Sequence, residues 1–148
     1  MRRVRWSLLV VGLAVGIFVF VLSEHGIERA MIVAVVDGDT VRIDNGETVR
    51  LLGIDAPEYG EPCFAEAYDE FRNIVAGKSV LLIHDREDRD RYGRLLRYLE
   101  IDGALINLLL VQRGVARAED FGHTLVRSAA FREAEQSAQS ERIGCLWQ

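Results

Sequence analysis

Histidine and cysteine are scarce in this chain, and lysine is nearly absent. His25, His84 and His123 are scattered, and Cys63 and Cys145 show no metal-ligand spacing. A zinc centre, which draws on clustered His and Cys, is therefore disfavoured. His84 and His123 suit surface or capping positions instead. Lys78 is the only lysine among 18 basic residues, so positive charge rests on arginine, whose planar fork suits bidentate contact with phosphate or carboxylate. The formal net charge is −5, and setting aside Arg2, Arg3 and Arg5 leaves 15 basic residues against 23 acidic. That balance argues against the broad basic surface usual in nucleic-acid binders. An anionic partner would have to meet locally concentrated arginines, with a metal neutralising the remainder. Repeats, low-complexity tracts and internal linkers are missing too. One compact domain is expected in 148 residues.

Charge is also missing from residues 6–23, which follow Arg2, Arg3 and Arg5 and are mostly Leu, Val, Ile, Phe, Gly and Ala. The run lies between a secretory apolar core and a membrane-spanning helix in length. Glu24 and Glu28 spoil the small-residue pattern that a cleavage site wants. The reading is an uncleaved signal anchor at residues 1–23, a tether at 24–30 and a domain at 31–148. The segment would join the domain to a membrane, with the arginines cytoplasmic and the domain facing the periplasm or exterior. Cleavage would give a secreted protein instead. Outside the cytoplasm an even cysteine count suggests a Cys63–Cys145 disulfide, with two unrelated buried thiols as the alternative.

The apolar patterning predicts an α+β domain that is mainly β. Residues 31–36 read as a strand that resumes at 40–43 after an Asp37-Gly38 turn. Asn45-Gly46 predicts a two-residue hairpin leading into a strand at 47–54. Arg50 interrupts that apolar strand on the face shared with Leu52, either as an ordinary half-exposed strand position or as a functional side chain. Pro57 ends the strand, and Pro62 opens a helix carrying Phe64, Ala67, Tyr68, Phe71, Ile74 and Val75, which Gly77 stops. Strands follow at 79–84, 94–101 and 115–118, with a short helix at 105–113 before Gly114. A last helix spans 124–143 and turns Leu125, Phe131, Ala134 and Ala138 inward. Five short strands and about three helices describe an OB-type Greek-key barrel.

Three stretches carry chemistry: Asp37-Gly38-Asp39-Thr40-Val41, Val49-Arg50-Leu51-Leu52-Gly53-Ile54-Asp55-Ala56-Pro57-Glu58 and Asp90-Arg91-Tyr92-Gly93-Arg94. Asp39 and Asp55 lie at the ends of strands expected to pair. Two carboxylates with a backbone carbonyl, here that of Thr40, and water suit a hard cation such as Ca²⁺. Arg50 and Arg94, brought to one rim, could clamp a phosphodiester and stabilise added negative charge. Glu58 follows Pro57 and could take a proton from an attacking water. Each feature alone is unremarkable: Asp-Gly is a common turn, and Glu58 is one glutamate in a loop. The combination is what points to metal-assisted phosphodiester hydrolysis.

Together these stretches resemble the thermonuclease family, the staphylococcal-nuclease-like domain. The patterns D-G-D-T-[VIL], R-L-x-G-I-D-[AT]-P-E and D-x-Y-G-R-x-L occur in order within residues 31–147. The resemblance implies an OB-barrel, Ca²⁺-dependent nuclease acting on DNA and RNA. Asp39, Asp55 and the Thr40 carbonyl would hold calcium, and Arg50 and Arg94 the scissile phosphate, with Glu58 as general base. Arg91 and Tyr92 match positions that often line the nucleotide pocket. Water would attack phosphorus in line, the 5′-oxygen would leave, and products would end in 3′-phosphates. A monomer without an obligate protein partner is expected.

Two departures from the family pattern stand out. The stretch from Glu58 to Pro62 is short, lacking the long basic loop of many relatives. Glu119-Asp120-Phe121 stands where relatives often place a tyrosine beside the substrate. Weaker nucleotide grip and a steeper calcium dependence are the expected consequences. The competing readings are a catalytically silent OB module that binds nucleic acid or a protein, and an anchored calcium-binding structural domain. The second has no use for Arg50 and Arg94.

Overall fold

A computed structural model describes residues 27–120 and 125–148. The expected anchor at 1–23, the start of the tether, His25, His123 and Phe121 lie outside the described residues. Among the described residues no helix is long and apolar enough to cross a membrane. The first strand, β1 (Ile27–Val35), begins four residues before the expected domain start. Residues 27–30, read from sequence as tether, instead pair antiparallel with β5 (Ser79–Ile83), and Ala30 is buried. Exposed Ile27 and Glu28 hid this edge from a pattern-based reading.

β2 (Thr40–Ile43) and β3 (Thr48–Leu51) form the expected hairpin, but its loop has three residues. Gly46 N–H donates to the Ile43 carbonyl (2.9 Å) and Ile43 N–H to the Glu47 carbonyl (3.0 Å), with Gly46 at φ 89°. That is a turn closed by a left-handed glycine. Asp44 cannot join the ladder with β3 because it pairs back to Met31, donating from its N–H (3.0 Å) and accepting at its carboxylate (3.2 Å). The register that results sets Arg50 opposite Thr40.

Strand order β3-β2-β1-β5-β6 closes on itself because β3 also pairs in parallel with β6 (Leu95–Ile101). A five-stranded closed barrel results, consistent with the OB-type α+β fold. Val41, Ile43, Val49, Leu51, Leu82 and Leu99 fill it. Three helices are described around it: α1 (Phe64–Val75), α2 (Ile106–Gln112) and α3 (Ser128–Glu141). Ala67, Phe71 and Val75 of α1 face the core, as do Phe131, Ala134 and Ala138 of α3, matching their helical spacing. α3 begins later than its sequence pattern, since Leu125 to Arg127 form the preceding turn.

One short addition escapes sequence patterning: β7 (Ala104–Leu105) pairs with β6. β8 (Arg117–Ala118), within the strand expected at 115–118, pairs antiparallel with β4 (Ile54–Asp55), which breaks off from the strand expected at 47–54. The β4–β8 pair carries the 117–119 segment to the end of β3. Fully buried Asn107 ties α2 to β6 and to the turn after β3. Its side-chain oxygen accepts from Leu99 N–H (2.8 Å), and its nitrogen donates to the Leu52 carbonyl (2.8 Å). Cys63 and Cys145 form a disulfide with Cα atoms 5.5 Å apart. Closing a span of 82 residues, it contributes roughly 4 kcal/mol in the chain-entropy account.

Candidate active site

Gly38 is the first determinant of the site. A Cβ there would lie 2.6 Å from the Ala56 Cβ and 3.1 Å from that of Ala67, so only glycine lets the Asp37–Asp39 turn sit against the end of β4 and α1. Asp37 Oδ1 accepts from Asp39 N–H (3.0 Å) and shapes the turn. Asp39 is thereby driven inward, where it is 5% exposed. Its Oδ2 accepts from Ala56 N–H (2.8 Å) and its Oδ1 from the Thr40 hydroxyl (2.9 Å).

Arg50 lies at the centre. It is 6% exposed rather than half-exposed, because the 37–39 turn and β4 cover the outer face of β3. Arg50 Nη1 forms an ion pair with Asp39 Oδ2 (3.0 Å) and donates to the carbonyls of Leu51 (3.1 Å) and Ile54 (2.8 Å). Nη2 donates to Asp55 Oδ1 (2.9 Å) and Glu119 Oε2 (3.4 Å). Asp39 and Asp55, expected to approach each other, each pair with one terminal nitrogen of the same guanidinium. Burial pushes the Asp39 carboxyl up to about 7, with Arg50 opposing and Asp37 adding to the rise. Burial also raises Glu119, Asp55 adding to the shift and Arg50 reducing it.

The Thr40 carbonyl accepts Val36 N–H (2.9 Å) and Asp37 N–H (3.4 Å) where β1 turns into β2. Among the described residues no set of three or more His, Cys, Asp or Glu side chains forms a complete metal cage. Asp39 and Asp55 nonetheless supply carboxylate oxygens, the kind of donor a hard cation takes, on either terminal nitrogen of Arg50. Two carboxylates, a carbonyl and water are within calcium's usual repertoire.

Arg94 belongs to a second cluster. Asp90 accepts from the N–H groups of Tyr92 (2.9 Å) and Arg94 (3.0 Å) and from Arg94 Nε (2.7 Å). Burial works against the Asp90 charge, but these bonds outweigh it and hold the carboxyl below its ordinary range. Exposed Tyr92 lies under both arginines, with Arg91 at 4.8 Å and Arg94 at 5.6 Å from its ring centre. Arg97 ties this loop to the barrel through Asp88 (2.6 Å), and Arg89 ties it to Glu47 by two bonds of 2.9 Å. In the parallel register Leu96 faces Arg50, so Arg94 leaves β6 two residues earlier, roughly 7 Å along the strand direction.

Glu58 is carried by a third segment. It is exposed, three residues past Asp55, in a turn where its N–H donates to Glu61 Oε2 (2.9 Å) and Glu61 N–H donates to its carbonyl (2.9 Å). The disulfide at Cys63 anchors the far end of this turn. A cavity of about 470 Å³ opens beside it, lined by Asp55, Pro57, Glu61, Arg117 and the disulfide. Glu119, Arg97 and Asn107 are the structural members of the site that patterning did not supply. A lone polar residue inside an apolar helix was the one available signal, for Asn107.

A closed five-stranded barrel with an arginine set among carboxylates at its rim defines a small OB-barrel protein with a polar site. The family model described as Staphylococcal nuclease homologue matches residues 48–148. The chain is 31% identical over 130 residues to the thermonuclease of Staphylococcus intermedius, covering 82% of this chain and 77% of that protein. It is 28% identical over 127 residues to the thermonuclease of Staphylococcus hyicus, covering 80% and 75%. With the SPbeta prophage-derived endonuclease YokF of Bacillus subtilis it shares 35% over 123 residues, covering 76% of this chain and 41% of that longer protein. The chain belongs to the staphylococcal nuclease family.

Proposed function

We propose that this protein is a calcium-dependent nuclease that hydrolyses phosphodiester bonds of DNA and RNA and leaves 3′-phosphate ends. The observation that carries this reading is Arg50, buried and held by Asp39 at Nη1 and Asp55 at Nη2. An arginine fixed so firmly is pre-oriented for a tetrahedral anion, and pre-orientation is where charge stabilisation gains most. Asp39, Asp55 and the Thr40 carbonyl would hold calcium, which when bound supplies Lewis-acid polarisation of a phosphoryl oxygen. Asp90 fixes the Arg94 guanidinium through Nε, leaving its terminal nitrogens to meet the substrate. Arg50 and Arg94 then bear the charge added as water attacks phosphorus and the 5′-oxygen leaves. Glu58, exposed and following Pro57, accepts the proton of that water. Arg91 and Tyr92 supply a cation and a ring face for the nucleotide. Residues 1–23 are proposed to hold a monomeric domain at a membrane, facing outward, or to be cut on secretion.

The test is a single-turnover assay of the full-length chain on an end-labelled single-stranded oligonucleotide with calcium. Glu58→Gln is expected to bind normally but lose about 10²–10⁴-fold in rate. Products of the unmutated chain are expected to carry 3′-phosphates. Undiminished rate in Glu58→Gln would remove the assigned base, and 5′-phosphate products would overturn the direction of cleavage.

A further inference from the structure

The two edges of the Arg50 guanidinium are unlike. Nη1 faces inward, toward Asp39 (side chain 6% exposed) and the carbonyls of Leu51 and Ile54. Nη2 faces outward, where its partners Asp55 and Glu119 have side chains 52% and 40% exposed. A phosphate arriving from solvent therefore meets Arg50 at Nη2. Two carboxylates already hold that nitrogen. In the proposed reaction Asp55 is committed to the cation, so Glu119 is the acceptor left facing the incoming phosphate. Its place is set by the sheet, since Glu119 N–H donates to the Gly53 carbonyl (3.0 Å) just beyond the β4–β8 pair. The carboxylate is thus held beside Arg50 whether or not substrate is present.

Resting on the nuclease reading, we propose that Glu119 is a built-in competitor of the substrate phosphodiester, holding Arg50 Nη2 and lowering the grip of the site on nucleic acid. The contact is long, at 3.4 Å, and open to solvent on the Glu119 side, so an arriving phosphate can displace that carboxylate from the buried arginine. Displacement leaves the Glu119 carboxylate free to turn toward solvent. The residue thereby sets affinity rather than chemistry: removing its charge should change binding and KM, and leave kcat nearly unaltered.

Asp120 is the control, because it carries the same charge one residue on but pairs with Arg132 (3.0 Å) at an exposed position. Binding of a fluorescein-labelled single-stranded oligonucleotide is measured by anisotropy with calcium, in full-length chains that all carry Glu58→Gln so that turnover is suppressed. The Glu58→Gln chain is compared alone and with Glu119→Gln, Glu119→Ala or Asp120→Asn added, and kinetics use the same variants with Glu58 in place. Both Glu119 variants are expected to bind about two- to fivefold more tightly. Asp120→Asn should stay within about 1.5-fold, its charge being solvated and screened. With calcium, KM should fall in the same proportion while kcat holds. Equal gains in Glu119→Gln and Asp120→Asn would reduce the effect to net charge and overturn the inference, as would weaker binding in both Glu119 variants. Unmutated protein that binds the oligonucleotide but never cleaves it would sink the nuclease reading, and leave the anisotropy comparison to decide the role of Glu119.

Discussion

Asp39 and Asp55 grip opposite ends of one guanidinium: Arg50 Nη1 lies 3.0 Å from the first and Nη2 2.9 Å from the second. The arginine is buried, the first carboxylate is buried with it, and the second is half open to solvent. This pairing holds the β2 start, β3 and β4 in one fixed arrangement, so it serves the fold as well as the proposed chemistry.

Replacing Arg50 therefore has two separable consequences. Arg50→Lys keeps a positive charge but loses the fork that reaches Asp39 and Asp55 together. Activity on single-stranded DNA is expected to fall about 10²–10³-fold. Arg50→Ala leaves buried Asp39 without its countercharge and is expected to cost about 3–5 kcal/mol in urea unfolding. Arg50→Lys should be closer to the unmutated stability than Arg50→Ala. Equal activity in Arg50→Lys would remove the bidentate contact from the account.

Gly38→Ala tests how the turn places Asp39. The added methyl would stand 2.6 Å from the Ala56 Cβ and 3.1 Å from that of Ala67, so the turn must move away from the end of β4. A destabilisation of about 1–3 kcal/mol is expected, as for other overpacked positions. Calcium affinity, followed by titration calorimetry, should weaken as Asp39 and Asp55 separate. Unchanged affinity would show that the turn can shift without carrying Asp39 with it.

Alkaline stability follows from Tyr98. Burial raises its phenol above the ordinary 10.0, and the 2.6 Å bond to Asp85 Oδ2 and the charge of Asp85 raise it further. The folded protein holds this proton after the unfolded chain has released it. The contribution is thus complete below about pH 10 and is lost as pH rises above that value. The urea midpoint should fall between pH 9.5 and 11, and Tyr98→Phe should flatten that slope while costing about 1 kcal/mol at neutral pH. An equal slope in both proteins would assign the alkaline loss to other groups.

Much of the frame was legible because it obeys local rules. The helical stripe of Phe71 and Val75, the Phe131 and Ala138 face and the Gly46 hairpin follow from spacing and turn chemistry alone. That Asp39 and Asp55 lie near one another's strand ends was legible from the hairpin, but their shared pairing with Arg50 was not. What failed had causes outside the local pattern. Residues 27–30 pair with a strand about fifty positions away, and an exposed edge carries little apolar signal. The burial of Arg50 owes its cover to β4 and the 37–39 turn, not to its own strand, so pattern alone left it undecided. Glu119 reaches Arg50 only through the two-residue β4–β8 pair, which no periodicity can reveal.

The central claim, that the carboxylates flanking Arg50 serve a cation used in phosphodiester cleavage, is tested by turnover of single-stranded DNA across a calcium titration, with full-length unmutated and Asp55→Asn chains. Cleavage that saturates with calcium and stops with chelator is predicted, with Asp55→Asn needing at least about tenfold more calcium. Cleavage that persists in chelator, or an unchanged calcium midpoint in Asp55→Asn, would contradict it.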